Sequence, residues 1–202
     1  MVAPICSGLI CLLALCGSPA SRAAEREPEQ VVRDLADQAV AVLRDQSLST
    51  DQKRSKLENL AHANMDFYTL SRLVLARNWR RLSKAQQGEF VEEFKRHLSV
   101  TYGDRINDYK NESVRVIGER KEPRGDYTVQ TKILRGGPGD VEVDYRLRRR
   151  DEQWKIIDVI VEGVSLVANF RSQFQEIMAN GGPDKLLRLL REKNERGEPL
   201  KS

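Results

Sequence analysis

Beyond Cys16 this chain has no cysteine; its three, Cys6, Cys11 and Cys16, all fall before residue 20. Disulfides, thiolate metal sites and cysteine nucleophiles are therefore excluded from the rest of the chain. Histidine is almost as scarce: only His62 and His97 occur, each alone on an expected helix. A lone helical histidine is expected at the surface or an interface, and neither sits in a zinc-ligand spacing such as H-E-x-x-H, so no metal site is expected. There is no G-x-S-x-G elbow and no glycine loop opening a helix to cradle phosphate. After the first twenty residues no apolar run reaches eighteen positions, the minimum for a helix that crosses a bilayer. These absences remove most enzyme chemistry, and no cofactor is expected.

The apolar run that does exist is Ile5–Leu15, with no charged side chain before Arg22. It has the length of a signal-peptide core, and Ser18-Pro19-Ala20 supplies the small residues of a cleavage site before Ser21. Residues 1–20 read as an export signal. Leu13-Ala14-Leu15-Cys16 loosely resembles a lipoprotein box, but the large Leu15 argues against lipidation of Cys16, and a cysteine there is simply a small hydrophobe. Roughly 180 residues remain, enough for one domain with its own core, expected over 21–195 with a charged, disordered tail over 196–202. The net charge of +4 comes from 34 basic and 30 acidic side chains that are interspersed. No basic module suggests nucleic acid. The densest cluster, Arg146, Arg148, Arg149 and Arg150, reads as a solvated strand edge or, alternatively, as a charge-assisted docking patch for a partner.

Helical periodicity dominates both ends of the chain. Pro28 opens a stripe of Val31, Leu35, Ala39, Val42 and Leu43 over 28–46. Ser49/Gln52 and Ser83/Gln86 have the spacing of capping boxes, and Asp66 can cap a short helix between them. The longest stripe is Phe90, Phe94, Leu98, Tyr102, Ile106 and Tyr109. The period then drops to two over Val114–Val116, Tyr127–Ile133, Val141–Leu147 and Trp154–Val161, with Ile117 interrupting the first run. Turns such as Gly136-Gly137-Pro138-Gly139-Asp140 make these strands an antiparallel meander. Trp154–Val161 is apolar on both faces and so needs cover on both. Asp158 within it reads as a hydrogen-bond anchor to a helix end or an arginine rather than a catalytic acid. Ser165 caps a helix with Phe170 and Phe174, and Gly181-Gly182-Pro183 separates it from a last helix, with fraying after Arg191. The class is α+β: N-terminal helices, a curved four-stranded antiparallel sheet and two C-terminal helices.

Mutual packing could cover all of these apolar faces, or they could enclose a cavity; the pattern alone leaves both open. The segments FYTLSRLVLARNW (67–79), LSKAQQGEFVEEFKRHL (82–98), TYGDRINDY (101–109) and above all WKIIDVIVEGVSLVANFRSQF (154–174) decide further. With the GGPDKLLRLLREKN ending, they resemble the MlaC, or toluene-tolerance, family of periplasmic phospholipid-binding proteins. One departure is Ala76, where members often carry glycine. The resemblance implies a monomeric periplasmic carrier of glycerophospholipid, with a branch linked to hopanoids, that hydrolyses nothing. It implies an outer-membrane lipoprotein–porin complex and an inner-membrane ABC transporter with an MCE-domain ring as partners. The expected apolar pocket is lined by Phe94, Leu98, Tyr102, Val129, Val143, Tyr145, Ile157, Val159, Val161, Leu166 and Phe170. Two rivals stay open: an NTF2-like small-molecule enzyme, with Asp158 its acid or base, and an envelope adaptor that binds no lipid.

Overall fold

The computed structural model describes residues 27–103, 108–135 and 139–200. The leader and its cleavage site, Cys16, Ile106 and the Gly136-Gly137-Pro138 turn lie outside the described residues. Helix α1 (Pro28–Arg44) has proline in its first turn. Helices α2 (Thr50–Asn64) and α4 (Lys84–Tyr102) both open on complete capping boxes, Ser49 with Gln52 and Ser83 with Gln86. Between them, α3 (Phe67–Leu75) is capped by Asp66, whose Oδ1 accepts from the Thr69 N–H at 2.8 Å. A 3₁₀ segment over Ala76–Arg81 comes next. The α4 stripe ends earlier than its periodicity suggested: Gly103 caps the helix and Tyr109 lies in the connection to the sheet.

The sheet runs β1 (Ser113–Lys121), β2 (Tyr127–Leu134), β3 (Val141–Arg150), β4 (Gln153–Val161) and β5 (Val164–Ser165), each antiparallel to the next in simple order. The fifth strand, not expected from the sequence, is only two residues long. It exists because Glu162 and Gly163 both take positive φ, 49° and 76°, which folds the chain straight back onto Ile160 and Val161. Two register shifts explain the irregular patterns seen in the sequence. Ile117 is the extra residue of a bulge in β1, and Ile157 the extra residue in β4. Each bulge swaps the facing of the residues after it and bends its strand, so Trp154, Ile156, Val159 and Val161 of β4 come to share one face although the sequence reads as apolar on both.

Helix α5 (Leu166–Arg196) contains both expected C-terminal helices. They join at Gly182, whose φ of 67° and ψ of −166° only glycine adopts freely, immediately before Pro183. The expected fraying after Arg191 is not what the chain does. The helix continues to Arg196, Asn194 is buried, and the Leu200 N–H donates to His97 Nε2 at 3.2 Å while its side chain packs on the helical core.

Two separate cores result. One is helical, built from α3, the 3₁₀ segment, α4 and α5 around Phe90, Phe94, Phe170 and Phe174. The other lies between α1 and one face of the sheet: Val31 and Val32 against Val129, Leu147 and Ile156. The corner between α2 and α3 joins the sheet through the Asp66 N–H, which donates to the Ile156 carbonyl at 2.9 Å.

Candidate apolar binding site

Pairing fixes which side chains share a face of the sheet. Val143 lies opposite Thr131 and Val161, Tyr145 opposite Val129 and Val159, and Leu147 opposite Tyr127 and Ile156. This apolar face looks toward α1. The other face carries Arg120, Glu122, Thr128, Asp144 and Arg146, with Glu122 accepting from Arg120 and Thr128.

The expected lining residues divide between the two cores. Val129, Tyr145 and Val159 belong to the cluster under α1, and Val143 is buried on the same face. Burial pushes the Tyr145 phenol above its ordinary pKa, so the ring enters this face neutral. Phe94, Leu98 and Phe170 are instead inside the helical core, with Leu166 packed against it. There Phe94 meets Phe170 edge-on at 5.0 Å and Phe174 at 5.3 Å, and stacks on Phe90 at 5.6 Å. Ile157 is buried at the β4 bulge. Tyr102 and Val161 are each 44% exposed, so they stand at a rim rather than on an inner wall.

Helix α1 was missing from the expected lining, although its stripe was readable. Val31 and Val32 are buried, whereas Leu35, Ala36, Ala39, Val40, Val42 and Leu43 are only half-buried. Packing thus loosens along α1 toward its C-terminus. Helix α2, with no buried residue, leaves Leu57 and Leu60 half-exposed as well. Where α1 and the sheet part, a cleft of about 260 Å³ opens between Asp37, Val40, Ala41 and Arg44 of α1 and Ser113 and Val114 of β1. A larger groove of about 710 Å³ runs between the 3₁₀ segment and α5, but its walls are Arg77, Asn78, Arg81, Ser172, Gln175, Glu176 and Ala179. Such a lining suits water and ions rather than hydrocarbon.

The arginine cluster is not a loose patch. Arg148 holds Asp126 with two bonds, Nε–Oδ1 at 2.8 Å and Nη2–Oδ2 at 2.6 Å, and this carboxylate raises the guanidinium pKa further. Arg150 reaches Asp66, the α3 cap, at 3.7 Å. Arg146 is half-buried on the polar face, and Arg149 is exposed. Two of the expected docking residues are therefore already used to fasten the β3 end to neighbouring segments.

Asp158 is the anchor the sequence suggested. Its Oδ1 accepts from the Val167 N–H at 3.0 Å and its Oδ2 from the Ser165 hydroxyl at 2.6 Å, so it closes the N-terminus of α5. His97 corrects the expectation of a surface residue, being fully buried. The Asn194 amide nitrogen donates to the Glu93 carbonyl and carboxylate, which turns its oxygen toward His97 Nδ1 at 2.8 Å. Nδ1 therefore carries the proton and Nε2 accepts from Leu200, which defines a neutral imidazole. Burial lowers its pKa, and Lys193 lowers it further, against the Asn194 contact.

Comparison with known proteins bears on this geometry. A family model described as MlaC protein matches residues 33–192. The toluene tolerance protein ttg2D of Pseudomonas putida is 26% identical over 192 residues, covering 91% of this chain and 87% of that protein. A phospholipid-binding protein from Ralstonia solanacearum, solved in complex with a phospholipid, has the same fold. It superposes with a TM-score of 0.77 at 21% identity, over 85% of this chain and 99% of that one.

Proposed function

The chain belongs to the MlaC family, and from that premise we propose that it is a phospholipid carrier whose acyl chains lie between α1 and the apolar face of the sheet. The observation that carries this reading is the graded packing along α1: closed at Val31 and Val32, which cluster with Val129, Tyr145 and Val159 of the sheet, and half-open from Leu35 to Leu43. Swinging α1 away from the sheet would widen this interface without disturbing the aromatic core. The phospholipid bound by the Ralstonia relative supports the same cargo class here.

Energetics favour enclosure. Two sixteen-carbon tails exposed to water would cost on the order of 20–25 kcal/mol at about 0.8 kcal/mol per methylene. Bilayer and protein interior are both apolar, so transfer between them is close to neutral, and docking decides direction. In this reading the carrier works in the periplasm after export and exchanges lipid with an outer-membrane lipoprotein–porin complex and an inner-membrane MCE-domain ABC transporter. It performs no chemistry of its own. Asp158, the acid on which the NTF2-like enzyme reading depended, is occupied at both oxygens by the α5 cap.

Native mass spectrometry of the purified protein tests the reading. A mass increment that extraction identifies as glycerophospholipid is expected. A clean apo mass after exposure to phospholipid vesicles would overturn it in favour of an adaptor.

A further inference from the structure

The cleft at the open end of α1 combines apolar walls with one cation and one anion. Val40, Ala41 and Val114 form the walls; Arg44, Asp37 and Ser113 are its polar lining. Arg44 is aimed rather than free to wave. Its Nε donates to the Tyr109 hydroxyl at 3.1 Å, and that hydroxyl donates to the Glu112 carbonyl at 3.1 Å. The two terminal guanidinium nitrogens keep no partner among the described residues. Asp37 sits seven residues earlier, two turns or roughly 10 Å along the same side of α1, with no cation paired to it among the described residues. Arg44 and Asp37 thus line one cleft from the same side of α1.

The geometry points to this cleft as the headgroup site of the carried lipid, with a preference for a zwitterionic phosphodiester; the inference rests on the carrier reading above. The guanidinium fork matches two phosphate oxygens. Asp37 then takes the ammonium two carbons beyond the phosphate, and Ser113 offers a hydroxyl to either. A headgroup with a second negative charge, or none but the phosphate, leaves Asp37 unpaired next to an anion, which is a repulsive element against that partner. The apolar walls continue into the α1–sheet interface, so tails and headgroup follow one path from the closed end at Val32 to the open end at Arg44.

Delipidated protein incubated with vesicles of equimolar dioleoyl phosphatidylethanolamine, phosphatidylglycerol and diacylglycerol, then re-isolated and extracted, reads this directly. The wild type is expected to hold phosphatidylethanolamine over phosphatidylglycerol by about threefold or more. Arg44→Gln is expected to lower the phospholipid-to-diacylglycerol ratio about tenfold, the scale of one charge-assisted contact. Asp37→Asn is expected to erase the preference between the two phospholipids while keeping their total. Tyr109→Phe removes only the hydroxyl that aims Arg44 and is expected to give a smaller loss in the same direction. Unchanged ratios in Arg44→Gln and Asp37→Asn, with lipid still bound, overturn the headgroup site alone. Wild-type protein that retains none of the three lipids overturns the carrier reading together with it.

Discussion

The helical half and the sheet half of this protein are packed to different standards. Around α4 and α5, Phe90, Phe94, Phe170 and Phe174 form a closed set of ring contacts, all between 5.0 and 5.6 Å, and all four rings are buried. Under α1, the buried contacts stop after the first turn and give way to half-covered aliphatic side chains. The first arrangement is what a rigid frame needs. The second leaves apolar faces close together but incompletely satisfied, which is what a cargo of hydrocarbon can complete. The proposed carrier reading assigns the first region the role of a frame and the second that of a chamber.

The sharpest way to break this comparison is to remove one large side chain from each half. Phe94→Ala empties part of a close-packed core and is expected to destabilise by about 3–5 kcal/mol in denaturant unfolding. Leu35→Ala, at a half-buried position facing the chamber, is expected to cost about 1 kcal/mol or less in the lipid-free protein. Equal costs would mean the halves are packed alike. A charge sharpens the same contrast from the other side. Val159→Asp places a carboxylate on the chamber face, where an unpaired charge beside hydrocarbon is costly. Co-purified lipid is expected to fall about tenfold or more, with the aromatic core's near-UV circular dichroism retained. Full lipid content in a folded Val159→Asp protein would remove the sheet face from the site.

Much of the frame was legible because its signals are local. Capping boxes at Ser49 and Ser83, Asp158 under the α5 cap, and the change of period at the sheet all depend on residues close in sequence. The proposed chamber was harder to read because the placement of its walls is long-range. Phe94 and Phe170, expected at the pocket, meet each other across α4 and α5, a contact that residues so far apart in sequence do not announce. Helix α1 carried an equally clear stripe, but nothing local indicates that its second half would be left partly open. The partners of the basic run of β3 were hidden for a related reason: Asp126 and Asp66, distant in sequence, take up Arg148 and Arg150. The β5 hairpin rests on Glu162 in a positive-φ conformation, which its residue type does not announce.

A smaller effect tests how the frame is held at its end. His97 is neutral in the folded protein, with its pKa below the ordinary value of 6.5 chiefly through burial. The unfolded chain takes up this proton first as pH falls, so the His97 contribution is complete above about pH 6.5 and declines below it. Protonation also places a proton on Nε2 facing the Leu200 N–H, which turns that bond into a repulsion. Hydrogen-exchange protection of the Leu200 amide, taken relative to its intrinsic rate at each pH, is expected to fall from about pH 8 to about pH 5. His97→Gln, which can donate and accept but cannot titrate, is expected to flatten that dependence. An unchanged profile in this variant would show that the tail is held by the Leu200 side chain alone.

The smallest expected effect concerns a strain inside the frame itself. Ala76 ends α3 with φ 49° and ψ −124°, the first central position of a type II′ turn and a region that side chains with a Cβ avoid. It is held there from both sides: Leu75 is buried before it, and Asn78 and Trp79 are buried after it in the 3₁₀ segment. Holding a residue with a Cβ in such a conformation costs about 1–3 kcal/mol. Glycine removes that cost but brings about 0.5–1 kcal/mol of added unfolded-state freedom. Ala76→Gly is therefore expected to stabilise the protein by about 1 kcal/mol, seen as a rise of roughly 2–4 °C in Tm for a chain of this size. Because the strain lies in the frame and not in the chamber, lipid content and headgroup ratios should stay at wild-type values. A gain in stability with altered lipid content would mean that the α3 turn and the chamber are mechanically coupled, and that the two halves are less independent than their packing indicates.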